Sequence, residues 1–211
     1  MPVVKIDKIS DKSSVVLWKV TEDLSELNNL GQKEGIVPPE QDIHNDVKKM
    51  EWIAGRLALK KLVQSEGLHY QGIVKDEYGK PHLQNLNGEI SLTHSFPYVG
   101  AIFHLDTIVG IDLEQPKTKM VNIATKFLSD AEMKNAGNSI DKICVYWCAK
   151  EALYKLYGKK RLIFKQQLPI EPFHLADDFE LIGSIVVNNT IHKHNLRAIR
   201  FNGNYLVYTL D

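Results

Sequence analysis

The sequence has no surplus of charge of either sign, since 26 Lys and Arg residues balance 26 Asp and Glu residues among 211 in total. Affinity for nucleic acid depends on an excess of basic residues, so this balance argues against a general nucleic-acid binder. No segment approaches the roughly 18 consecutive apolar residues of a membrane span, and the N-terminus lacks the apolar core of a signal peptide. We therefore expect a cytoplasmic protein without a membrane-spanning segment.

The sequence is also poor in cysteine. Cys144 and Cys148 are too few for a disulfide framework, and a zinc site would need two further ligands at a suitable spacing. We interpret the pair as packing residues on the buried face of a predicted helix. The Gly-rich dinucleotide motif, the Walker loop, the zinc-protease motif and the nucleophile elbow are absent as well. Their absence excludes the enzyme classes that these motifs define.

What the sequence does contain is a globular composition, with 44% hydrophobic residues, and a hydrophobic pattern whose order occurs twice. Each half predicts a strand, a short helix, a long helix and then further strands. The predicted long helices span 46–66 and 139–157, the short helices 22–30 and 121–127, and the strands 15–20, 72–75, 90–94, 98–105, 108–114, 179–187, 195–201 and 205–210. This order predicts an α+β fold of two structurally similar α/β lobes, a pseudo-dimer. Residues 1–106 and 107–211 would each form a small antiparallel sheet packed on a long helix.

Capping and turn residues mark several of the predicted boundaries. Asn45 is a suitable N-cap for the first long helix, and Gly67 and Gly158 are suitable stop signals for the two long helices. Asn202-Gly203 predicts a hairpin between the last two strands. Asp106-Thr107 could turn a further hairpin, between the strands on either side of the predicted lobe boundary.

Two acidic residues alternate along a predicted strand in the segment Gly110-Ile-Asp112-Leu-Glu114. The period of a strand places Asp112 and Glu114 on the same side. Mg²⁺ suits such a pair, because it takes one or two protein carboxylates and completes its coordination with water and substrate phosphate. On spacing alone, however, the pattern favours a solvated strand end, since two acids at this spacing are common.

A second signal lies in the second long helix, where Trp147, Glu151 and Lys155 follow at steps of four and share one face. A buried carboxylate is costly without a partner, and Lys155 is a suitable partner for Glu151 one turn away. A glutamate at the solvated edge of the face is an equal alternative. If this face meets the strand near Asp112 and Glu114, three acids and a lysine converge, which is the inventory of a phosphoryl-transfer site.

Weaker candidates for phosphate contacts lie in the first half of the sequence. The turn Gly79-Lys80-Pro81 presents an ammonium, although it is equally typical of a plain surface turn. Thr93 and His94 lie at the end of a predicted strand, and a lone histidine is more often structural. Arg56 follows Gly55 inside the first long helix and is either a binding residue or part of a solvated face. Gly55 costs about 1 kcal/mol relative to alanine there, so we expect close packing or the close approach of another segment.

The order of these motifs is more specific than any one of them. G-K-P, S-x-T-H-S, G-I-D-x-E, F-L-S-x-x-E and W-x-x-K-E-A-x-x-K follow one another, the last two at 127–132 and 147–155. This succession resembles the 4′-phosphopantetheinyl transferases, in their two-lobed, surfactin-type branch rather than the short trimeric holo-acyl-carrier-protein synthases. The resemblance covers residues 45–160 by motif and the whole chain by length and layout.

The resemblance implies an enzyme that moves phosphopantetheine from coenzyme A to a serine of an apo carrier protein and releases adenosine 3′,5′-bisphosphate. By match to the motifs, Asp112, Glu114 and Glu151 would hold Mg²⁺ against the pyrophosphate of coenzyme A. Glu151 would also activate the carrier serine, directly or through a water. Lys155 would neutralise charge on the leaving pyrophosphate oxygens.

The same resemblance implies that Lys80, Thr93 and His94 contact the phosphates of coenzyme A, with Arg56 as a candidate for its 3′-phosphate. The partners would be coenzyme A and an apo acyl or peptidyl carrier protein, and we expect a monomer. Two alternatives remain: a catalytically silent relative that binds carrier protein or coenzyme A, and a different Mg²⁺-dependent phosphotransferase or nucleotide hydrolase. The intact set of three acids argues against the silent relative.

Overall fold

The computed structural model describes residues 3–38, 43–159 and 161–210. Over these ranges the chain is a mixture of helices and small antiparallel sheets, which confirms the predicted α+β class. The strands are β1 (Val3–Ser10), β2 (Ser13–Lys19), β3 (Ile73–Lys75), β4 (Pro81–Leu83), β5 (Glu89–Ser95), β6 (Tyr98–His104), β7 (Ile111–Glu114), β8 (Asp178–Val187), β9 (Thr190–Phe201) and β10 (Asn204–Thr209). The helices are α1 (Leu24–Lys33), α2 (Asp46–Ser65), α3 (Lys119–Phe127), α4 (Asp130–Ala136), α5 (Ile140–Tyr157) and α6 (Phe164–Gln167).

The chain divides into two compact units. The first comprises Met1–Val74 and His82–Asp106, and the second comprises Lys75–Pro81 and Thr107–Asp211. The tip of the β3–β4 hairpin thus belongs to the second unit, whereas the sequence assigned all of 1–106 to one lobe. None of the described helices is both long enough and apolar enough to cross a membrane.

The first unit is built on a four-stranded antiparallel sheet in the order β1-β2-β6-β5, with α2 packed on it. Asn45 caps α2 as predicted, since its Oδ1 accepts a hydrogen bond from the Lys48 N–H at 3.1 Å. The core between helix and sheet consists of fully buried side chains from both, among them Trp18, Leu57, Leu62 and Val99.

The expectation that Gly55 permits close packing or the close approach of another segment is wrong. A Cβ at this position would meet only Leu92 Cδ2, at 3.7 Å, which is an ordinary van der Waals contact. The helix therefore carries the propensity cost of glycine here without a close approach that requires it.

The second unit repeats the arrangement of one sheet and one long helix. Its antiparallel sheet has the order β7-β10-β9-β8, and α5 packs against β7 and β10. Gly158 ends α5 in a left-handed conformation, as predicted. Cys144 and Cys148 are both fully buried in the core beneath α5, which confirms their interpretation as packing residues.

Hairpins connect the last three strands of this sheet. The predicted turn at Asn202-Gly203 joins β9 to β10, and both residues take positive φ angles, 45° and 75°. A second hairpin, from β8 to β9, turns at Asn188 and Asn189, also at positive φ, and was not predicted. The hairpin predicted at Asp106-Thr107 is wrong, because β7 pairs with β10 and not with the strand that precedes it in the chain.

The two units share a three-strand core. In each sheet, the strand that comes last before the helices pairs antiparallel with the final strand of the sheet, and that final strand pairs with its predecessor: β2-β6-β5 in the first unit and β7-β10-β9 in the second. The units differ in the extra strand, which is β1 beside β2 in the first and β8 beside β9 in the second. The sequence pattern that occurs twice therefore corresponds to a shared topology.

A buried ammonium ties α5 to the segment that follows it. Lys150 is 0% exposed, and its Nζ donates to the Phe164 and Leu168 carbonyl oxygens at 3.1 and 2.6 Å. Its third partner is the Glu132 carboxylate, at 2.8 Å. Since a lysine ammonium has three donors, this one is saturated. Burial lowers the pKa of Lys150, and the negative charge of Glu132 opposes that shift.

Glu132 is satisfied from the other side by backbone groups. Its carboxylate accepts hydrogen bonds from the Ser129 N–H at 2.7 Å and from the Ile170 N–H at 2.9 Å. The first of these belongs to a capping box in which Ser129 also caps α4. The motif F-L-S-x-x-E is thus a helix start whose glutamate also neutralises a buried lysine.

We predict that Lys150→Met destabilises the protein by about 3–5 kcal/mol, because it leaves the buried Glu132 carboxylate without its counter-charge. Urea denaturation measures the free energy of unfolding. Lys134→Met, at an exposed lysine of α4, serves as the control and should change it by less than about 0.5 kcal/mol. The double variant Lys150→Met/Glu132→Gln should lose less than the sum of the two single variants. A loss below about 1 kcal/mol for Lys150→Met would contradict this account.

Candidate active site

The two acids of the D-x-E segment lie on edge strand β7 and face α5. Asp112 is opposite Val207 in the sheet register, and Glu114 is opposite Tyr205. Val207 and Tyr205 belong to the core beneath α5, so the acids project from the same face of the sheet. Asp112 is buried, whereas Glu114 is partly exposed. The predicted common side of the two acids is confirmed.

Gly110, just before β7, permits an unusually close approach of α5. A Cβ at this position would overlap the Ala152 carbonyl and press on the Leu156 backbone N–H. Any residue other than glycine would therefore push the helix away from the strand. This contact sets the distance between the acids of β7 and the side chains of α5.

Lys155 reaches from α5 to β7 because the helix lies so close to the strand. Its Nζ lies 2.7 Å from Asp112 Oδ1 and donates to the Ile111 carbonyl at 2.9 Å. The sequence offered Glu151 as the partner one turn away, and this is wrong: the ion pair of Lys155 runs from the helix to the strand. The side chain of Lys155 is 28% exposed, so its ammonium is still reached by solvent.

Glu151 lies on the same face of α5, in the field of the other charges. Burial raises its pKa, the negative charge of Asp112 raises it further, Lys155 opposes the shift, and Glu114 adds to it, for a pKa of about 7. The three acids are therefore close enough to act on one another electrostatically. A carboxyl group in such a position is typical of catalytic sites.

Lys80 lies on the hairpin tip that belongs to the second unit and contacts the end of α5. Its Nζ donates to the Leu156 carbonyl at 3.1 Å, in the last turn of α5. The side chain lies so close to Gly158 that a Cβ there would overlap it. The structure thus places Lys80 at the C-terminal end of the helix that carries Glu151 and Lys155.

The donor set fits Mg²⁺ bound together with a phosphate. Asp112, Glu114 and Glu151 offer the carboxylate oxygens that Mg²⁺ prefers, and their mutual repulsion favours a cation. Within the described part of the chain, no group of three or more His, Cys, Asp or Glu side chains is assembled closely enough to hold a metal on its own. Mg²⁺ does not require such a cage, because one or two carboxylates suffice when water and substrate phosphate complete the coordination.

The remaining predicted residues belong to the first unit. Thr93 is buried in β5, at 3% exposure. His94 follows it on the other face of the strand, and its side chain is 54% exposed. Arg56 lies half-buried on α2, with its guanidinium stacked on the ring of Trp52.

His94 is held by an acid that the sequence analysis missed. Glu51 is 5% exposed, and its Oε2 lies 3.3 Å from His94 Nδ1 and 2.7 Å from Lys48 Nζ. Its Oε1 accepts a hydrogen bond from the Phe96 N–H at 3.1 Å. Burial would raise the pKa of Glu51, but the hydrogen bonds of His94 and Lys48 outweigh it and lower the pKa to about 2. The sequence carried a signal for this acid, since Glu51 falls in the apolar stripe of α2 with Val47 and Ala54.

Comparison with known families bears on the second unit. Residues 108–209 match the family model of the 4′-phosphopantetheinyl transferase superfamily. The matched stretch contains Asp112, Glu114, Glu151 and Lys155. No curated protein gives a significant match to the chain. The superfamily expected from the motifs is therefore supported for this half of the chain, and with it phosphopantetheine transfer in general, with coenzyme A and a carrier protein as the general partners.

We predict that Gly110→Ala separates α5 from β7. The added methyl group overlaps the Ala152 carbonyl, so the free energy of unfolding, measured in urea, should fall by about 1–3 kcal/mol. Gly55→Ala is the matched control, because a methyl group has room there, and it should leave stability unchanged or raise it by up to about 1 kcal/mol. Equal stability of the two variants would disprove the close approach at Gly110.

We predict that Glu51 makes stability depend on acid pH. Its folded-state pKa of about 2 lies below the ordinary value of 4.5. The contribution is therefore complete above about pH 4.5 and is lost as the pH falls towards 2, amounting to about 2 kcal/mol between pH 5.5 and pH 3. Urea unfolding at the two pH values should show a Glu51→Gln variant whose deficit against wild type shrinks by that amount. A deficit that is the same at both pH values would refute the assignment.

Proposed function

We propose that this protein is a Mg²⁺-dependent 4′-phosphopantetheinyl transferase of the two-lobed, surfactin-type branch. It would transfer the 4′-phosphopantetheine group from coenzyme A to a serine of an apo acyl or peptidyl carrier protein. The observation that carries the proposal is the meeting of Asp112, Glu151 and Lys155 across β7 and α5, within the stretch that matches the superfamily.

In the proposed reaction, the serine Oγ of the carrier attacks the phosphorus that bears the pantetheine arm. The Oγ–P bond forms as the bond from that phosphorus to the bridging pyrophosphate oxygen breaks, and adenosine 3′,5′-bisphosphate leaves. A serine hydroxyl is a poor nucleophile at neutral pH, so a base must take its proton. Glu151 would accept this proton, directly or through a water, because burial and the neighbouring acids raise its pKa to about 7, close to the value that suits a general base at neutral pH.

Asp112, Glu114 and Glu151 would hold Mg²⁺ against the pyrophosphate. When bound there, Mg²⁺ would neutralise charge on the phosphate oxygens and fix their geometry. Asp112 is held in place by its ion pair with Lys155. Such positioning and charge neutralisation supply most of the acceleration of phosphoryl transfer.

Two lysines would stabilise the charge that develops on the leaving group. Lys155 uses two of its three donors, on Asp112 and on the Ile111 carbonyl, and the third is available to a phosphate oxygen. Lys80, held at the end of α5, would contact a phosphate of coenzyme A. An ammonium fixed in advance costs no reorganisation when the reaction occurs.

Three residues of the first unit are proposed contacts of coenzyme A because the resemblance implies them. Glu51 fixes the ring of His94 through Nδ1. In the imidazolium form both ring nitrogens are donors, so Nε2 would then donate to a phosphate. The hydroxyl of Thr93 would contribute from the same strand, and Arg56 remains the proposed contact of the 3′-phosphate.

We predict that the protein adds phosphopantetheine to an apo acyl carrier protein in the presence of coenzyme A and Mg²⁺. Intact-mass spectrometry of the carrier should show a gain of about 340 Da, which EDTA should abolish. Glu151→Gln should lower the rate roughly 10²–10⁴-fold, because it removes the base and a metal ligand while keeping the shape of the side chain. Glu180→Gln, an exposed acid of β8, should leave the rate unchanged.

The alternatives give different results in the same tube. If several carriers gain no mass while coenzyme A is broken down, the protein is a hydrolase. If coenzyme A stays intact, it is a silent binding protein. A rate that is unaffected by Glu151→Gln would remove that residue from the transfer.

A further inference from the structure

The first unit contains a pocket of about 310 Å³, within the size range of small-molecule sites. It is formed by the segment after α1, one face of α2 and the segment before β3. The side chains that give it chemical character are those of Glu34, Trp52, Arg56, Lys60 and Tyr70. Apart from the assignment of Arg56 to a 3′-phosphate, none of these residues has a role in the proposed transfer.

Arg56 is prepared for a planar, directional contact. Its guanidinium carbon lies 3.6 Å from the centroid of the Trp52 ring, and Nη1 donates to the Trp52 carbonyl at 3.3 Å. One of its five donors is thus used, and no ion pair joins Arg56 to a carboxylate within the described ranges. Stacking holds the fork of donors in a fixed plane, which reduces the entropy lost when it binds an anion.

The one acid among the residues that line the pocket is already neutralised. Lys60 Nζ lies 2.7 Å from Glu34 Oε2 and donates to the Glu34 carbonyl at 3.0 Å. Hydrogen bonding from Lys60 lowers the pKa of Glu34, so this carboxylate stays ionised and paired at neutral pH. The charge left over in the pocket is that of Arg56, and Lys60 keeps one further donor.

Tyr70 adds a neutral donor beside Arg56. Burial raises the pKa of its hydroxyl, so it remains protonated at neutral pH. The pocket offers more hydrogen-bond donors than the two oxygens of a carboxylate could accept. These donors are the guanidinium fork of Arg56, the third donor of Lys60 and the hydroxyl of Tyr70. A phosphate has three terminal oxygens and accepts the fork in bidentate fashion.

We infer that the pocket between Trp52, Arg56, Lys60 and Tyr70 binds a phosphate monoester. Two sources share this chemistry: the 3′-phosphate of coenzyme A and a separate small phosphorylated molecule. The first source rests on the proposed transferase function, whereas the second does not depend on it.

The test is a titration of the full-length, ¹⁵N-labelled protein followed by the indole N–H signal of Trp52 and the Nε–H signal of Arg56. The probes are inorganic phosphate, adenosine 3′,5′-bisphosphate and adenosine 5′-monophosphate, with acetate at equal ionic strength as the control anion. Phosphate and at least one nucleotide should shift both signals, and acetate should not. Arg56→Gln should weaken phosphate binding roughly 10- to 100-fold, as expected for lost hydrogen bonds to a charged group.

Lys61→Gln is the matched control, because it removes one positive charge from the same helix at a residue that does not line the pocket. It should change the affinity by less than about threefold, since Lys61 makes no direct contact with a ligand in the pocket and acts only through its charge. Arg56→Lys keeps the charge and the fold but loses the planar fork, so it should fall between wild type and Arg56→Gln. Thermal unfolding of each variant shows that it is folded.

The source of the phosphate follows from enzyme kinetics. If Arg56→Gln raises KM for coenzyme A but not for coenzyme A lacking its 3′-phosphate, the pocket holds the substrate. If phosphate binds and KM for coenzyme A does not change, the ligand is a separate phosphorylated molecule. The inference is overturned if phosphate shifts neither signal, or if Arg56→Gln binds it as tightly as wild type. A failure of the transfer reaction leaves the titration intact, so the two proposals fail separately.

Discussion

The close approach of α5 to β7 is the constraint on which the charged cluster of the second unit depends. Gly110 has no side chain, so the helix backbone reaches the start of the strand, and Lys155 can then pair with Asp112. The pKa of Glu151 is raised first by burial, and the same approach brings Glu151 within the field of the strand's acids, which raise the pKa further, to about 7. The lack of a Cβ at Gly110 therefore determines both the geometry and the electrostatics of the cluster.

Two lysines of α5 have different roles: one stabilises the fold, and the other is a candidate for contact with a ligand. Lys150 is sealed in the core and has all three donors occupied, so it can only hold the fold together. Lys155 lies five residues further along, is partly exposed and keeps one donor. The resemblance of the motif W-x-x-K-E-A-x-x-K to a known family does not by itself separate these roles. The two roles are separated by how deeply each lysine is buried and by how many of its three N–H donors already have a hydrogen-bond partner.

Much of the fold follows from local signals in the sequence. The caps at Asn45 and Gly158 and the hydrophobic periods located both long helices, because these signals act within one turn of the chain. The turn at Asp106-Thr107 was placed wrongly, since local turn chemistry says nothing about which strand β7 pairs with. The partner of Lys155 was missed for the same reason, as its choice depends on a contact between distant segments. Glu51 was open to prediction, because a charged residue inside an apolar stripe signals a buried partner.

The pairing of β7 with β10 has a consequence for the order in which this unit folds. β7 is the first strand of this four-stranded sheet to leave the ribosome, yet its partner in the described structure, β10, follows the other strands and the helices of the unit in the chain. Because contacts between such distant segments carry a large loop-closure entropy, β7 gains its ladder late. During synthesis, the D-x-E segment therefore waits as an unpaired strand while α5 is already complete. The sheet pairing that holds the two acids on this strand is therefore complete only after β10 has been made.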